Sequence, residues 1–353
     1  MNLSPQAKES KMKDVLILGI ESSCDETAVS VVKNGREILS DVIISSCNQH
    51  VKFGGVVPEI ASRAHATAID IAYTQALQKA GVTIEEIDGV AVTYGAGLLG
   101  ALLVGVSFAK GIAYAYGKPL IPVNHIRGHV AAGYLNSDLQ PPFITLLTSG
   151  GHTAVVQVNS YTDLRVLGST RDDAVGEAFD KVARVLGIPY PGGPGVERAA
   201  STGQTVIPMP QMLKGDKSYD FSYSGLKTAV VNYCHTKTQS GEGFSVPDVA
   251  ASFQTAALSV LVDKAFRAVK ETGYRVLSLG GGVAANGHLR ALCEARAKKE
   301  GVKLYAPEKK LCTDNGAMIA AEGYLQYVYT NNRGDLTLNA AANIPDFIKE
   351  YQK

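Results

Sequence analysis

The 353-residue chain has no tryptophan and almost no charge imbalance, with 34 Lys and Arg side chains against 33 Asp and Glu and a formal net charge of +1. A chain without net positive charge has no general attraction to nucleic acids or membranes, so a polyanion must meet a local basic patch. The basic clusters are small. They are Lys8, Lys11 and Lys13, the segment "RAKKE" at 296–300, and Lys309 with Lys310.

Cysteines are few, and long apolar runs near the start are lacking. The five cysteines are odd in number and form no C-x-x-C pair, which argues against a disulfide framework or a cysteine zinc site. The apolar run "VLILGI" is too short for a signal segment or a membrane span. We expect a cytoplasmic protein without membrane contact and a disordered leader at 1–13. The cysteines are Cys24, Cys47, Cys234, Cys293 and Cys312.

Two segments of the chain repeat one pattern of strands. Each has a buried strand, a turn of small residues, a second strand, a polar turn and a third strand. The segments are "DVLILGIESSCDETAVSVVKNGREILSDVIIS" and "PFITLLTSGGHTAVVQVNSYTDLRVLGSTRDD". Helical sequence follows each copy, so we predict a duplicated α/β fold of two lobes around a cleft. The predicted divisions are a first lobe at 14–140, a second at 141–313, a helix at 314–330 packed on the first lobe, and a tail at 331–353.

Three glycine or small-residue turns offer backbone N–H groups to phosphates: "ESSCDET", "TSGGHT" and "SLGGGVAAN". Each is also explained by a tight turn alone. Together they match the arrangement of actin, hexokinase and the sugar kinases, in which one hairpin from each lobe holds the phosphates. The predicted fold is therefore the duplicated actin-like ATPase (ASKHA) fold.

The segment "NHIRGH" places His125 and His129 four residues apart, behind Asn124 as a helix cap. At this spacing both imidazoles reach one metal, although two core histidines explain the pattern equally well. A metallopeptidase of the H-E-x-x-H type needs glutamate after the first histidine, where this chain has Ile126. Asp314, in "CTDNGAMIA", is either a helix cap or a third ligand.

Three further segments are open to two interpretations. If "RDDAVGEAFDKVARVLG" is a helix, Asp173, Glu177 and Asp180 lie on one side of it. That side is either a solvated charged face or part of the wall of a binding site. The loop "YPGGPGVE" suits close backbone approach to a ligand. The segment "DFSYSGLKTAV" fits a nucleic-acid or ligand surface, or a buried hairpin.

A series of motifs resembles one family from about residue 16 to residue 325: TsaD, the tRNA adenosine threonylcarbamoyltransferase family (Gcp/YgjD), of bacterial type and formerly labelled an O-sialoglycoprotein endopeptidase. The motifs stand in the order of the family. They are "GIESSCDETAVSVV", "GGVVPEIASRAH", "VTYGAGLLGALLVG", "KGIAYAYGKPLIPVNHIRGHV", "SGGHT", "GEAFDKVARVLG", "YPGGPGVE", "DFSYSGLKTAV", "GGGVAANGHLR" and "CTDNGAMIA".

The resemblance implies one divalent metal in the cleft, iron in preference to zinc, held by His125, His129 and Asp314. It places the nucleotide part of threonylcarbamoyl-AMP on a set of residues in the second lobe. At Glu197 many relatives have aspartate, and at Thr148 many have valine. The implied set is Thr148, Ser149, Gly150, Gly151, His152, Asp180, Gly193, Glu197 and Asn286.

The resemblance also implies the reaction: the threonylcarbamoyl group passes to N6 of the adenosine beside the anticodon, in tRNAs that read codons beginning with A, and AMP leaves. Glu26 or Asp25 is the candidate base, although both also suit a hairpin tip that only orders the loop. Implied partners are the paralogue TsaB, the ATPase TsaE and TsaC, which makes the adenylate. We expect residues 61–79 to contribute the TsaB surface. An ATPase or kinase of the same fold is the alternative, and a metallopeptidase is third.

Overall fold

The computed structural model describes residues 13–213 and 215–344. The predicted disordered leader therefore lies outside the described residues except for Lys13. The first sheet has the strand order β3-β2-β1-β4-β5, with β1 antiparallel to β2 and parallel to β4. Its strands are β1 (Leu16–Glu21), β2 (Glu26–Lys33), β3 (Glu37–Ser45), β4 (Gly89–Gly95) and β5 (Leu120–Asn124).

The second sheet repeats this topology, with the order β10-β9-β6-β7-β8. Its first strand is again antiparallel to the next strand along the chain and parallel to the fourth strand of the sheet. The strands are β6 (Phe143–Thr148), β7 (Thr153–Val158), β8 (Leu164–Ser169), β9 (Val276–Gly280) and β10 (Lys303–Tyr305). The predicted duplication is confirmed.

Ten α-helices flank the sheets in the described part of the chain. They are α1 (Cys47–His50), α2 (Pro58–Ala80), α3 (Leu99–Tyr116), α4 (His125–Ala131), α5 (Val175–Val185), α6 (Gly192–Ala200), α7 (Ser224–Gln239), α8 (Val246–Thr272), α9 (Gly287–Glu300) and α10 (Gly316–Tyr329). Helix α2 begins with proline at its first position and ends at Gly81, whose φ of 67° suits the left-handed cap.

Helix α10, from the end of the chain, packs on β1, β2 and β4 of the first sheet. The approach is close enough to require glycine, since a Cβ on Gly19 would lie 2.2 Å from the carbonyl oxygen of Gly316. A hydrophobic cluster shared by both sheets, α4 and α10 occupies the space between the lobes, and each lobe has a further cluster of its own. The two lobes thus meet through α4 and α10.

Two described helices, α3 and α8, are long and apolar enough to cross a membrane by length and composition alone. Core helices pass the same test, and most of α8 is buried against the second sheet and its helices. Helix α3 packs one face on β4 and α2. Its other face leaves four large side chains exposed: Leu99, Leu103, Tyr114 and Tyr116.

Three local predictions need correction. Helix α5 begins only at Val175, so Asp173 does not share a helix face with Glu177 and instead binds Lys181 and Lys227. The glycines of "YPGGPGVE" open helix α6 and do not form a loop. In "DFSYSGLKTAV" the rings of Phe221 and Tyr223 are buried ahead of α7, so the segment is not a hairpin and these two rings are not part of a surface.

Candidate functional site

A cavity of about 390 Å³ lies between the lobes. One wall comes from the hairpin between β1 and β2, and the other from the turn after β6, helices α5 and α6, and the turn before α9. A cavity lined by both lobes matches the cleft expected from the duplication. Its lining includes Cys24, Asp25, Glu26, Cys47, Ser149, Gly150, Asp180, Gly193, Glu197, Asn286 and Asp314.

His125, His129 and Asp314 lie together beside this cavity, and Asp314 lines it. One ligand atom from each lies within 4.8 Å of the others. Asp314 Oδ1 is 3.6 Å from His125 Nε2 and 3.2 Å from His129 Nε2. The two imidazoles are therefore not a core pair that packs only against apolar side chains, because both face a carboxylate on a distant segment.

Two helix caps explain how these side chains are placed. Asn124 Oδ1 accepts a hydrogen bond from Ile126 N at 2.9 Å, which starts α4 so that the histidines occupy one side of its first turns. Asn315 Oδ1 accepts from Met318 N at 2.8 Å and caps α10. Because Asn315 is the cap, Asp314 is free to point at the histidines.

The charges of this group suit a cation. Burial opposes ionisation of Asp314, but the two histidines outweigh it and lower its pKa to about 2. Burial also disfavours a charged His125, yet Asp314 and Glu21 outweigh it and raise its pKa to about 9. The ring of His129 is 2% exposed, and its nitrogens find no well-aligned hydrogen-bond partner. An ionised Asp314, the fully buried Glu21 and an imidazole whose nitrogens lack an aligned hydrogen bond fit a divalent metal, which would take the place of the second proton on His125.

Glu21, which was not among the predicted site residues, holds His125 from behind. It is fully buried and accepts hydrogen bonds from Ser23 N at 2.5 Å and Thr93 Oγ1 at 2.6 Å. Its Oε2 lies 3.0 Å from His125 Nδ1. A proton held on Nδ1 by Glu21 would leave Nε2 as the atom available to a metal. The sequence indicated this role through a charged residue at the end of an apolar strand, the glutamate of "GIESS".

The candidate bases both lie on the first-lobe hairpin that lines the cavity. Burial, together with the charges of Asp314 and Asp25, raises the pKa of Glu26 to about 9. The Glu26 carboxyl also accepts a hydrogen bond from Ser45 Oγ at 3.2 Å. Without a cation nearby, Glu26 is therefore protonated at neutral pH.

The second-lobe wall is built from caps and glycine turns. Asp180 Oδ1 accepts from Gly192 N at 2.8 Å, at the start of α6, and burial raises the pKa of Asp180. Glu197 Oε1 accepts from Gly287 N at 2.7 Å. Asn286 caps α9 through Leu289 N at 3.0 Å. These bonds bring Asp180, Gly193, Glu197 and Asn286 together on one wall with Ser149 and Gly150.

Three residues of the predicted nucleotide set lie away from this wall. Thr148 is fully buried, and its hydroxyl donates to Gly280 O at 3.3 Å. Gly151 and His152 do not line the cavity. Burial and the charges of His125 and His129 lower the pKa of His152 to about 4, which favours its neutral form.

The two lobes with matching sheets and the cleft between them define an actin-like (ASKHA) fold. Full-length HypF in a phosphate- and nucleotide-bound form is similar over 91% of this chain, with a TM-score of 0.60 and 14% identity. The chain spans about half of HypF, 47% of its length. Component A of (R)-2-hydroxyglutaryl-CoA dehydratase from Acidaminococcus fermentans is similar over 88% of this chain and 98% of its own, with a TM-score of 0.52 and 14% identity. At such identities the likeness shows the fold alone.

Sequence comparison identifies the family. The profile of TsaD, tRNA N6-adenosine threonylcarbamoyltransferase, matches residues 37–321. A protein of that name from Clostridioides difficile is 51% identical over 94% of this chain and 99% of its own length. Another from Staphylococcus aureus is 49% identical over 96% of this chain and 98% of its own. The chain therefore belongs to the TsaD family and is a threonylcarbamoyltransferase that modifies adenosine in tRNA.

Proposed function

We propose that the chain transfers the threonylcarbamoyl group from threonylcarbamoyl-AMP to N6 of the adenosine beside the anticodon, in tRNAs that read codons beginning with A, and releases AMP. The observation that carries this proposal is one cavity with two chemically different ends. The group of His125, His129 and Asp314 reaches the cavity through Asp314, and capped helix starts with glycine turns form the second-lobe wall.

In this proposal the adenylate lies along the second-lobe wall. The backbone N–H group of Gly150 faces the phosphate, whereas that of Ser149 already donates to the carbonyl oxygen of His152 at 2.7 Å. Asp180, Glu197 and Asn286 surround the ribose and base. Because their side chains already cap neighbouring helices, the wall is held in place before the ligand binds.

His125, His129 and Asp314 would hold one divalent metal, which we propose to be iron, with zinc as the alternative that the same ligands accept. Such an ion supplies a Lewis acid that polarises the carbamoyl oxygen and favours departure of the phosphate. The protein contributes the orientation of the ligands, because Glu21 fixes one imidazole and the Asn315 cap leaves Asp314 free.

We propose Glu26, with Asp25 as the second candidate, as the group that accepts the proton of the attacking amine. The charge of Asp314 is one cause of the raised pKa of Glu26, so a cation that neutralises Asp314 brings this pKa down toward that of a base. A pH–rate profile that is unchanged in Glu26→Ala would remove Glu26 from this role.

The partners TsaB, TsaE and TsaC remain proposals. The exposed apolar side chains of α2 and α3 offer one surface for the paralogue TsaB: Ile71, Leu99, Leu103, Tyr114 and Tyr116. Charged substitutions at exposed positions of 61–79 should weaken TsaB binding in gel filtration. Unchanged binding would place the paralogue elsewhere.

The central experiment incubates tRNA with labelled threonine, bicarbonate, ATP and the partner proteins, with and without this chain. Label should enter tRNA only when the chain is present. The variant His125→Ala with His129→Ala, shown by circular dichroism to be folded, should lose both bound metal and activity. Modification at the wild-type rate by that variant would refute the role of the metal group.

An ATPase or kinase is the second candidate, because the actin-like fold also occurs in a nucleotide-bound HypF structure. Turnover of ATP by the chain alone, or phosphate transfer to a sugar, would favour it. A peptidase has less support, since Ile126 is buried at the position where the H-E-x-x-H motif has its base.

A further inference from the structure

The loop between α1 and α2 lies beside the cavity and exposes apolar side chains. Cys47, at the start of α1, lines the cavity, and a 3-10 turn follows at Val51–Phe53. In this turn Val51 is 42% exposed and Phe53 is 51% exposed. Exposed aromatic side chains beside a substrate cavity suggest a surface that another molecule covers.

This loop is fixed to the first-lobe hairpin. His50 is fully buried, its Nε2 lies 3.1 Å from Ser46 Oγ, and its Nδ1 accepts from Val57 N at 3.2 Å. Ser46 Oγ donates in turn to the carbonyl oxygen of Asp25 at 3.0 Å. The position of the exposed turn is therefore set by the same hairpin that carries the candidate bases.

Two cations lie beside the turn that contains Phe53. Lys52 Nζ lies 5.0 Å from the centre of the Phe53 ring. Arg184, on α5 of the second lobe, donates from Nη2 to Gly54 O at 2.7 Å across the mouth of the cavity. Asp180 of the cavity wall is four residues before Arg184 and shares its side of α5. Within residues 13–213 and 215–344, no carboxylate forms a salt bridge with Lys52 or Arg184, whereas nearby Arg63 is paired with Glu59.

We propose that Val51–Gly54 and Arg184, here called the rim platform, bind the nucleotides next to the target adenosine, with one base stacked on Phe53 and neighbouring phosphates held by Lys52 and Arg184. This inference rests on the proposed function, in which a tRNA adenosine enters the cavity. Proteins recognise single-stranded RNA loops by stacking splayed bases on aromatic rings and by pairing phosphates with cations.

The charges favour RNA over a protein partner as the occupant. The exposed ring and the two nearby cations, Lys52 and Arg184, complement a polyanion that also has flat apolar bases, although Asp180 offsets part of the Arg184 charge. The platform also spans both lobes, so an anticodon loop bound there contacts the two walls between which its adenosine is inserted.

The test compares Phe53→Ala with the matched variant Phe53→Tyr in the assembled enzyme with its partner proteins. Removing the ring should weaken binding of full-length tRNA by about 5- to 150-fold, the range for loss of one stacked base. Phe53→Tyr keeps the ring and should bind as the wild type does. Truncation of another exposed apolar side chain away from the cavity, Leu336→Ala, should leave tRNA affinity unchanged.

The phosphate contacts have their own test. Filter binding over a range of salt concentrations gives the slope of log affinity against log salt. Lys52→Gln and Arg184→Gln should each reduce this slope by about one, because each removes one phosphate contact. Variants with the wild-type slope would overturn the assignment of these two cations.

Controls separate this inference from the proposed function. Binding of the adenylate and metal content should stay at wild-type values in all platform variants. If the wild-type enzyme fails to modify tRNA, the proposed function fails. If the wild-type enzyme modifies tRNA and Phe53→Ala binds tRNA equally well, only the platform fails. If Phe53→Ala no longer binds a partner protein but keeps the wild-type tRNA affinity, the assignment of the rim platform to RNA is also overturned.

Discussion

Arg127 lies between the two histidines of α4 and forms a buried ion pair with Glu322 of α10. Arg127 Nε donates to Glu322 Oε1 at 2.8 Å, and the two side chains are 1% and 4% exposed. The pair therefore joins the helix that carries His125 and His129 to the helix that follows Asp314. We predict that Arg127→Met strongly destabilises the protein.

The magnitude follows from burial. Removing one member of a buried pair leaves the other charge without compensation, at a cost of about 3–5 kcal/mol. Replacing both charges with apolar side chains of similar size is often close to neutral. The double variant Arg127→Met with Glu322→Leu should therefore recover most of the free energy of unfolding lost in Arg127→Met.

Urea unfolding followed by circular dichroism measures these changes, and elemental analysis of the purified variants reports bound metal. Arg127→Met should unfold at a lower urea concentration and retain less metal, because α4 and α10 are no longer held in register. The reasoning would be refuted by an unchanged urea midpoint, or by a double variant that is no more stable than Arg127→Met alone.

Three further predictions concern single positions. Glu21→Leu should weaken metal binding by about 10- to 100-fold in competition with a chelating dye, while Glu21→Gln, which keeps an oxygen acceptor for His125 Nδ1, should lose less. Burial lowers the pKa of His65, so the unfolded chain binds more protons just below the ordinary histidine pKa of 6.5. Stability should then fall with decreasing pH, by at most about 1.4 kcal/mol per pH unit, and His65→Gln should flatten this profile in urea titrations. Gly281 has φ 86° and ψ 163°, and a Cβ there would lie 2.4 Å from a carbonyl oxygen of β6, so Gly281→Ala should cost about 2 kcal/mol or more in thermal or urea unfolding. Gly282→Ala, where the Cβ site is open, serves as its control and should change stability little.

The duplicated architecture could be predicted because its signals are local. Hairpin turns and buried strands appear in both copies of the repeated segment. The two sheets that these copies form have the same strand order and the same strand directions. The start of α4 was also predictable, since Asn124 is a good cap and forms the expected bond. Helix α6 was not, because a run of glycine and proline has low helix propensity and the helix depends on Asp180 from another segment at its start.

The candidate site was predictable only in part. The histidine spacing indicated two ligands, but whether Asp314 was a cap or a ligand depended on which of two adjacent residues caps α10. Glu21 was missed because its role depends on β4 and α4, which reach it only in the folded chain. The buried hydroxyl of Thr148 likewise depends on its contact with β9.

The packing of α10 on the first sheet has a consequence for the order in which the protein is made. Strand β1 emerges from the ribosome early, but the helix that covers it is among the last segments translated. About 185 residues separate His129 from Asp314, which at bacterial rates of synthesis amounts to roughly 10 to 40 s. During that interval the face of the first sheet that α10 covers is bare, and only two of the three residues of the candidate metal group are present. A chain that ends before Asp314 thus lacks both this cover and the complete group, so metal uptake would report that translation has reached α10.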